Sequence, residues 1–205
     1  MIVRIHSWIP ASRANGPGTR AVVWFQGCSL GCPGCFNPET HDPSLGTEID
    51  TAALAADLLR AMEGRDRTRA KGVSFSGGEP MQQPEALLDL IERLDAEDVG
   101  LLLFSGYTLA EIERQPFGPA ILARLDVLIA GRYRARRHLG AGLLGSTNQT
   151  VHLLSGRHTH AEISAVPPAE IIIGPDGTIT VTGISPPSPA GWTGVDRIRR
   201  PTGSL

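Results

Sequence analysis

The sequence predicts an α/β fold, with short apolar strands alternating with amphipathic helices around a parallel sheet. Two observations carry this. β-prone apolar runs recur at residues 20–26, 72–75, 100–104 and 126–129, with helix-forming stretches between them. Each run also ends in small or polar residues, as the strands of βα units do where they reach a ligand-binding face. The chain has 205 residues. A closed barrel of eight βα units takes ~250 residues, so the expected architecture is an incomplete TIM-like βα barrel.

The elements follow in order. Residues 20–26 read as a buried strand that ends directly at Cys28. Asp50 can cap a helix carrying Leu54, Leu58, Leu59 and Met62 on one side. A charged stretch, 63–71, leads to the strand 72–75 and the turn Ser76-Gly77-Gly78-Glu79-Pro80. Pro84 suits the first turn of a helix bearing Leu87, Leu88, Ile91 and Leu94. The strand 100–104 runs into Ser105-Gly106-Tyr107, and Thr108 with Glu111 forms a capping-box pattern. Residues 126–129 give one more strand. Beyond Leu139 the alternation weakens. Residues 171–181 hold two β-prone arms around Asp176-Gly177 and predict a C-terminal β-hairpin extension. The last twenty residues are rich in Pro and Gly and are expected to be loosely ordered. The expected division is a core over 1–152, an extension over 153–183 and a tail over 184–205.

Composition narrows the function classes. Apolar residues make up 41% and charged residues 20%, as in an ordinary globular protein. No run approaches the ~20 apolar residues of a membrane span. The first residues lack the basic region, apolar stretch and cleavage site of a signal peptide. A formal net charge of −2 gives no reason to propose a polyanionic partner. The basic run Arg132-Tyr133-Arg134-Ala135-Arg136-Arg137-His138 has no aromatic platform beside it and reads as a solvated face, so neither nucleic acid nor membrane is expected as a partner. His158 and His160 read as parts of a polar loop.

The chemistry is concentrated at Cys28, Cys32 and Cys35, the only cysteines present. Three is an odd number and the chain is not a small secreted one, so a disulfide framework is disfavoured. A reducing, cytoplasmic setting is expected. A C-x3-C-x2-C run brings three thiolates to one small volume, one fewer than an iron–sulfur cube needs, and so leaves one iron open to a substrate. With His41 the same cysteines also make a Cys3His set of the kind structural zinc uses, and that alternative stays open on the cysteines alone. Zinc offers no reason for the glycine turn forty residues later. The strand ends would bring residues 28–35, 77–79, 105–107 and 130–132 to one face.

The cysteine run and the Gly-Gly-Glu-Pro turn, in this order, resemble the signature of the radical S-adenosylmethionine (SAM) superfamily. Asn15-Gly16-Pro17-Gly18-Thr19-Arg20, Pro33-Gly34-Cys35-Phe36-Asn37 and Gly145-Ser146-Thr147-Asn148-Gln149 narrow the likeness to the glycyl-radical-enzyme activases, especially the small activases of anaerobic ribonucleotide reductase. Gly34, where many superfamily members carry an aromatic residue, fits that branch. The resemblance covers residues 12 to 152. It implies a partial barrel of the radical SAM type and a [4Fe–4S] cluster on Cys28, Cys32 and Cys35. It also implies reductive cleavage of SAM to a 5′-deoxyadenosyl radical and a glycyl-radical enzyme as protein substrate. An external one-electron donor such as flavodoxin or ferredoxin would then be required. Within it, Gly77 and Gly78 let backbone approach SAM, and Glu79 faces the methionine ammonium or braces the turn. Arg132 pairs with the SAM carboxylate, with a surface role as the competing reading. Ser105 and Asn148 add polar contacts, and Phe36 packs on adenine or in the core. Asn15 to Gly18 would lie near the protein substrate. A radical SAM enzyme acting on a peptide or small molecule is the alternative, and a non-catalytic iron–sulfur or zinc protein is a third.

Overall fold

The computed structural model describes residues 1–63, 70–174 and 177–185. The middle of the charged stretch, Asp176 of the expected turn and the tail from residue 186 lie outside the described residues. In chain order the elements are β1 (Ile2–Ser12), β2 (Arg20–Phe25), β3 (Thr47–Asp50), α1 (Thr51–Met62), β4 (Gly72–Gly77), α2 (Pro84–Asp95), β5 (Gly100–Ser105), α3 (Leu109–Glu113) and α4 (Gly118–Leu122). There follow β6 (Val127–Ala130), β7 (His138–Ala141), β8 (Leu144–Ser146), β9 (Thr150–Leu153), α5 (His160–Ser164), β10 (Glu170–Ile173) and β11 (Ile179–Thr182).

Seven strands form one sheet in the order β3-β1-β2-β4-β5-β6-β9. The middle four, β2, β4, β5 and β6, are parallel. Their apolar runs are nearly continuous because both faces are covered. The outer strands β1, β3 and β9 run antiparallel to their neighbours. Two further pairs, β7 with β8 and β10 with β11, are antiparallel ribbons.

The period of two along each strand divides the core. Val23, Phe25, Val73, Phe75, Leu101, Leu103 and Leu128 point to the face covered by helices. There they meet Leu54 and Leu58 of α1, Leu87, Leu90, Ile91 and Leu94 of α2, and Ile112 and Ile121 of the short helices. Each fully buried leucine contributes about 1.5–3 kcal/mol. Asp50 caps α1 by accepting from the N–H groups of Ala52 and Ala53. Pro84 occupies the first turn of α2, where its missing N–H costs nothing. Thr108 and Glu111 form the capping box of α3.

The alternate residues cover the opposite face. Val22 and Trp24 pack with Ile9 and Ile172, while Leu102, Val127 and Ile129 pack with Leu143, Ile163 and Val166. Chain beyond β6, the short helix α5 included, therefore covers the side of the sheet opposite α1 and α2. Arg20 opens β2 and is fully buried at the N-terminal ends of the parallel strands. Its guanidinium donates to Ser74 Oγ at 2.8 Å and to the carbonyls of Val73 and Gly100 at 2.8 and 2.7 Å.

Several elements were not anticipated from the sequence, among them β3, β7, β8 and α5. β1 precedes what had read as the first strand, and β9 adds an edge beside β6. Among the described residues, no helix is long and apolar enough to cross a membrane.

Candidate functional site

The C-terminal ends of the parallel strands converge on one cleft of ≈ 1030 Å³, its open mouth included. Cys28, Cys32 and Cys35 line it together with Phe36, Gly77, Gly78, Glu79 and Ser105. Its position agrees with the rule that ligands of such sheets collect where the strands end.

The cysteine loop starts where β2 stops. Gln26 is buried and donates its side-chain N–H groups to the carbonyls of Glu39 and Asp42, at 3.1 and 2.8 Å. The N–H groups of Gly27 and Cys28 bond to the carbonyls of Thr40 and His41, at 2.8 and 3.0 Å. Both ends of the loop are therefore tied to one strand end. Within it, Cys35 N donates to Cys32 O at 3.1 Å, and Asn37 N donates to Cys35 Sγ at 3.4 Å.

All three thiols are free and half-buried. Burial above all pushes the Cys28 thiol pKa up, with Glu79 and Cys32 adding, while the N–H groups of Leu30 and Gly31 pull it down. Cys35 is pushed up by burial too, with Cys32 and Cys28 adding to the rise and Asn37 N–H opposing it. Three half-buried thiols lining one cleft form a donor set that a metal group would take up as thiolates. His41 lines the same cleft. Among the described residues, no group of three or more His, Cys, Asp or Glu converges as the ligands of a single metal ion would. Three thiols lining one cleft are one fewer than the ligands of an iron–sulfur cube, which leaves one metal corner open.

The glycine turn is bound directly to the cysteine loop. Gly78 N donates to Phe25 O and Glu79 N to Gly27 O, both at 2.9 Å. Gly77 has φ +104°, and a Cβ there would lie 2.4 Å from Phe25 N; at Gly78 it would lie 2.4 Å from Gly27 O. The turn needs glycine because the end of β2 passes so close.

Glu79 is fully buried behind this turn. Its carboxylate accepts from Met81 N at 2.9 Å, Ser105 Oγ at 2.9 Å and Gly106 N at 2.7 Å. It thereby joins the end of β4 to the end of β5. Burial raises its pKa to about 7 despite these donors and the nearby charge of Arg132.

Arg132 and Asn148 do not line the cleft. Arg132 Nη1 donates to both carboxylate oxygens of Glu111 at 3.1 Å, and its guanidinium carbon lies 5.5 Å from the centre of the Tyr107 ring. Asn148 Nδ2 donates to Arg132 O at 2.8 Å, while its Oδ1 is buried with no hydrogen-bond partner among the described residues. Phe36 meets Tyr133 edge-on, with ring centres 5.3 Å apart. His158 lies away from the cleft, 3.9 Å from Glu162, and burial lowers its pKa. Neither it nor His160, at the start of α5, joins the cysteines.

Some lining residues went unnoticed in the sequence. Gln149 accepts from the N–H groups of Gly145 and Ser146 at 2.9 and 3.1 Å and donates to Gly131 O at 2.9 Å. That joins the end of β6 to the β8 turn. Trp24, Tyr133 and Thr182 also face the cleft, as does Asn15. The alternation of faces along 20–26 was the signal available for Trp24; Thr182 had none.

The sequence matches the family described as a 4Fe-4S single cluster domain over residues 14–152. It is 35% identical over 155 residues to the anaerobic ribonucleoside-triphosphate reductase-activating protein of Vibrio cholerae, covering 72% of this chain and 96% of that protein. With the protein of the same name from Escherichia coli K12, identity is 30% over 154 residues, 73% of this chain and 97% of that one. The pyruvate formate-lyase-activating enzyme of Clostridium pasteurianum is 45% identical over 89 residues, 43% of this chain and 37% of that protein.

Proposed function

The chain belongs to the 4Fe-4S single-cluster family, in its branch of radical SAM glycyl-radical-enzyme activases, and from that premise we propose how its residues divide the work. The reaction installs a glycyl radical on a partner enzyme, with an anaerobic ribonucleotide reductase as the partner that the relatives suggest most directly. When bound, the [4Fe–4S] cluster and SAM supply a one-electron cleavage to methionine and a 5′-deoxyadenosyl radical, which takes a hydrogen atom from glycine.

Cys28, Cys32 and Cys35 hold the cluster as thiolates and leave one corner without a protein ligand. The Gly77–Gly78 backbone forms the wall against which the methionine end of SAM rests. Three of the Glu79 lone pairs are already engaged, so its first role is to fix the turn against Ser105 and Gly106. A remaining lone pair is free to accept from an ammonium. Phe36 and Tyr133 offer an apolar wall for a flat ring. Asn148 stands outside the cleft lining and donates to Arg132 O, so we assign it to holding the rim rather than to SAM. Arg132 is engaged with Glu111, and we assign it to holding the rim rather than to the SAM carboxylate.

The substrate is a polypeptide, reached through the open side of a curved, incomplete barrel built from residues 1–152. Residues 153–183 are an added module. An external one-electron donor such as flavodoxin or ferredoxin supplies the reducing electron, and a cytoplasmic setting keeps the thiols reduced.

One observation carries this reading above the others. The three thiols and the Gly77–Glu79 turn line a single cleft, and the Glu79 N–H to Gly27 O bond locks the two motifs together. The test is anaerobic reconstitution, followed by assay of 5′-deoxyadenosine and of a glycyl-radical signal on the partner by electron paramagnetic resonance. Stoichiometric zinc without sulfide under strict anaerobiosis would refute the cluster assignment.

A further inference from the structure

The chain beyond the family match returns to the cleft and builds part of its wall. The matched family ends at residue 152, and the Vibrio and Escherichia relatives are covered over 96 and 97% of their own length. β10 and β11 lie outside that shared core. Even so, Val181, Thr182, Gly183 and Ile184 line the same cleft as the three cysteines.

This wall is fastened at several points. Asn15 Nδ2 donates to Thr182 Oγ1 and to Ser12 Oγ, each at 2.8 Å. Ser12 Oγ donates to Glu170 Oε2 at 2.8 Å, and Arg13 N donates to the same oxygen at 2.7 Å. Ser185 N closes the other end on Pro168 O at 3.0 Å. Gly183 has φ +120°, and a Cβ there would stand 2.4 Å from Pro168 O. Ile172 packs on Ile9, Val22 and Trp24, seating the ribbon on the face of the sheet opposite α1 and α2. Thr182 and Ile184 are 5 and 6% exposed, so the wall is set before anything binds.

The division of the cleft gives the wall its role. On the activase reading, cluster and SAM occupy the end formed by Cys28, Cys32, Cys35 and Gly77 to Glu79. Asn15, Trp24 and the 181–184 segment complete the lining, so a hydrogen donor admitted to the cleft meets them. Relatives matched over nearly their whole length carry the same family core, so the added wall is not needed for SAM cleavage itself. We propose that Thr182 and Ile184 are specificity-determining residues of the glycine-bearing polypeptide substrate, with Asn15 positioning Thr182. Ile184 supplies apolar contact beside the reacting carbon. The Asn15–Thr182 bond holds this part of the wall in place.

This inference rests on the activase reading, and its test separates the two. The full chain is reconstituted anaerobically with a chemical one-electron reductant, SAM and a peptide centred on dideuterated glycine. One deuterium leaves the glycine Cα and joins the 5′ carbon, giving labelled 5′-deoxyadenosine and a glycyl radical. The quantity read is the labelled fraction of the 5′-deoxyadenosine released. Ile184→Trp and Thr182→Val should each lower that fraction about tenfold or more relative to the unmodified chain. Thr182→Ser, which keeps the hydroxyl, should restore it. Thr182→Val is nearly isosteric and decides the matter if the tryptophan variant does not fold. A labelled fraction unchanged in both Thr182→Val and Ile184→Trp overturns the proposal. An unmodified chain that releases no 5′-deoxyadenosine overturns the activase reading beneath it.

Discussion

The peptide N–H of Glu79 donates to the carbonyl of Gly27 at 2.9 Å, so the glycine turn and the start of the cysteine loop share a hydrogen bond. The bond continues the β2–β4 pairing one step past the strands, whose register ends with Phe25 opposite Gly77. Whatever moves the end of β4 therefore moves the start of the cysteine loop, which couples the two motifs mechanically.

Gly78→Ala tests that coupling. The new Cβ would stand 2.4 Å from Gly27 O and 2.8 Å from Thr40 O, both backbone atoms with no freedom to rotate away. Strand end and loop must separate, at a cost of about 1–3 kcal/mol. The expected result is lower iron and sulfide content after reconstitution together with weaker SAM binding. Normal cluster loading and normal SAM affinity would show that the two motifs are independent.

Glu79 makes stability depend on pH. Its folded pKa is raised by burial from 4.5 to about 7. A raised acid binds more protons folded than unfolded between these values, so stability falls as pH rises through this window. The loss is of the order of 3 kcal/mol at most. Glu79→Gln removes the titration but turns an amide N–H toward donors, so its stability should be lower at pH 4.5 and flatter toward pH 7. Denaturant titrations of both proteins across this range check the slope. Parallel profiles would mean that Glu79 is not the titrating group.

The parts of the fold legible in the sequence were those set by local patterns. The four parallel strands are apolar runs buried on both faces, and Asp50, Pro84 and the Thr108–Glu111 pair mark helix starts through neighbouring backbone groups. β1 was harder to see because one of its faces is only partly buried, and polar residues interrupt its alternation. The cysteines and the glycine turn stood out through residue type. Thr182 did not, because its partner Asn15 is 167 residues away, and Gln149 entered only as part of the Gly145–Gln149 segment, its bond to Gly131 O spanning 18 residues. Arg132 looked like a site residue from its position at a strand end. In the structure its guanidinium donates to Glu111 of α3.

Arg20 should be among the costliest single positions to change outside the cleft. Its guanidinium is wholly buried, and burial lowers its pKa to about 10 while Asp126 opposes the drop. It remains charged at neutral pH and serves Ser74 Oγ and the carbonyls of Val73 and Gly100. Lysine is a point donor and cannot reproduce the fork across two strands. Arg20→Lys should cost about 2–4 kcal/mol and Arg20→Ala more, since each strands buried acceptors. Equilibrium denaturation reads both. A loss below about 1 kcal/mol for either would show that the acceptors find other partners.

Gln149 and Arg132 give a paired comparison within one rim. Gln149→Ala removes three hydrogen bonds that join Gly131 to the Gly145–Ser146 backbone, leaving partly buried amide groups unserved at about 1–3 kcal/mol. Because Gly131, Gly145 and Gln149 all line the cleft, the wall shifts where a cofactor would rest. SAM affinity should fall tenfold or more, roughly the effect of a 1.4 kcal/mol loss. Arg132→Ala breaks an ion pair whose side chains are 42 and 37% exposed, and such pairs contribute about 0–1 kcal/mol. SAM affinity there should stay within about twofold of the original, with a small loss of stability. Equilibrium SAM binding to the reconstituted proteins distinguishes the two. If Arg132→Ala weakens binding as much as Gln149→Ala does, the guanidinium leaves Glu111 for the SAM carboxylate, and the assignment of Arg132 to the rim is overturned.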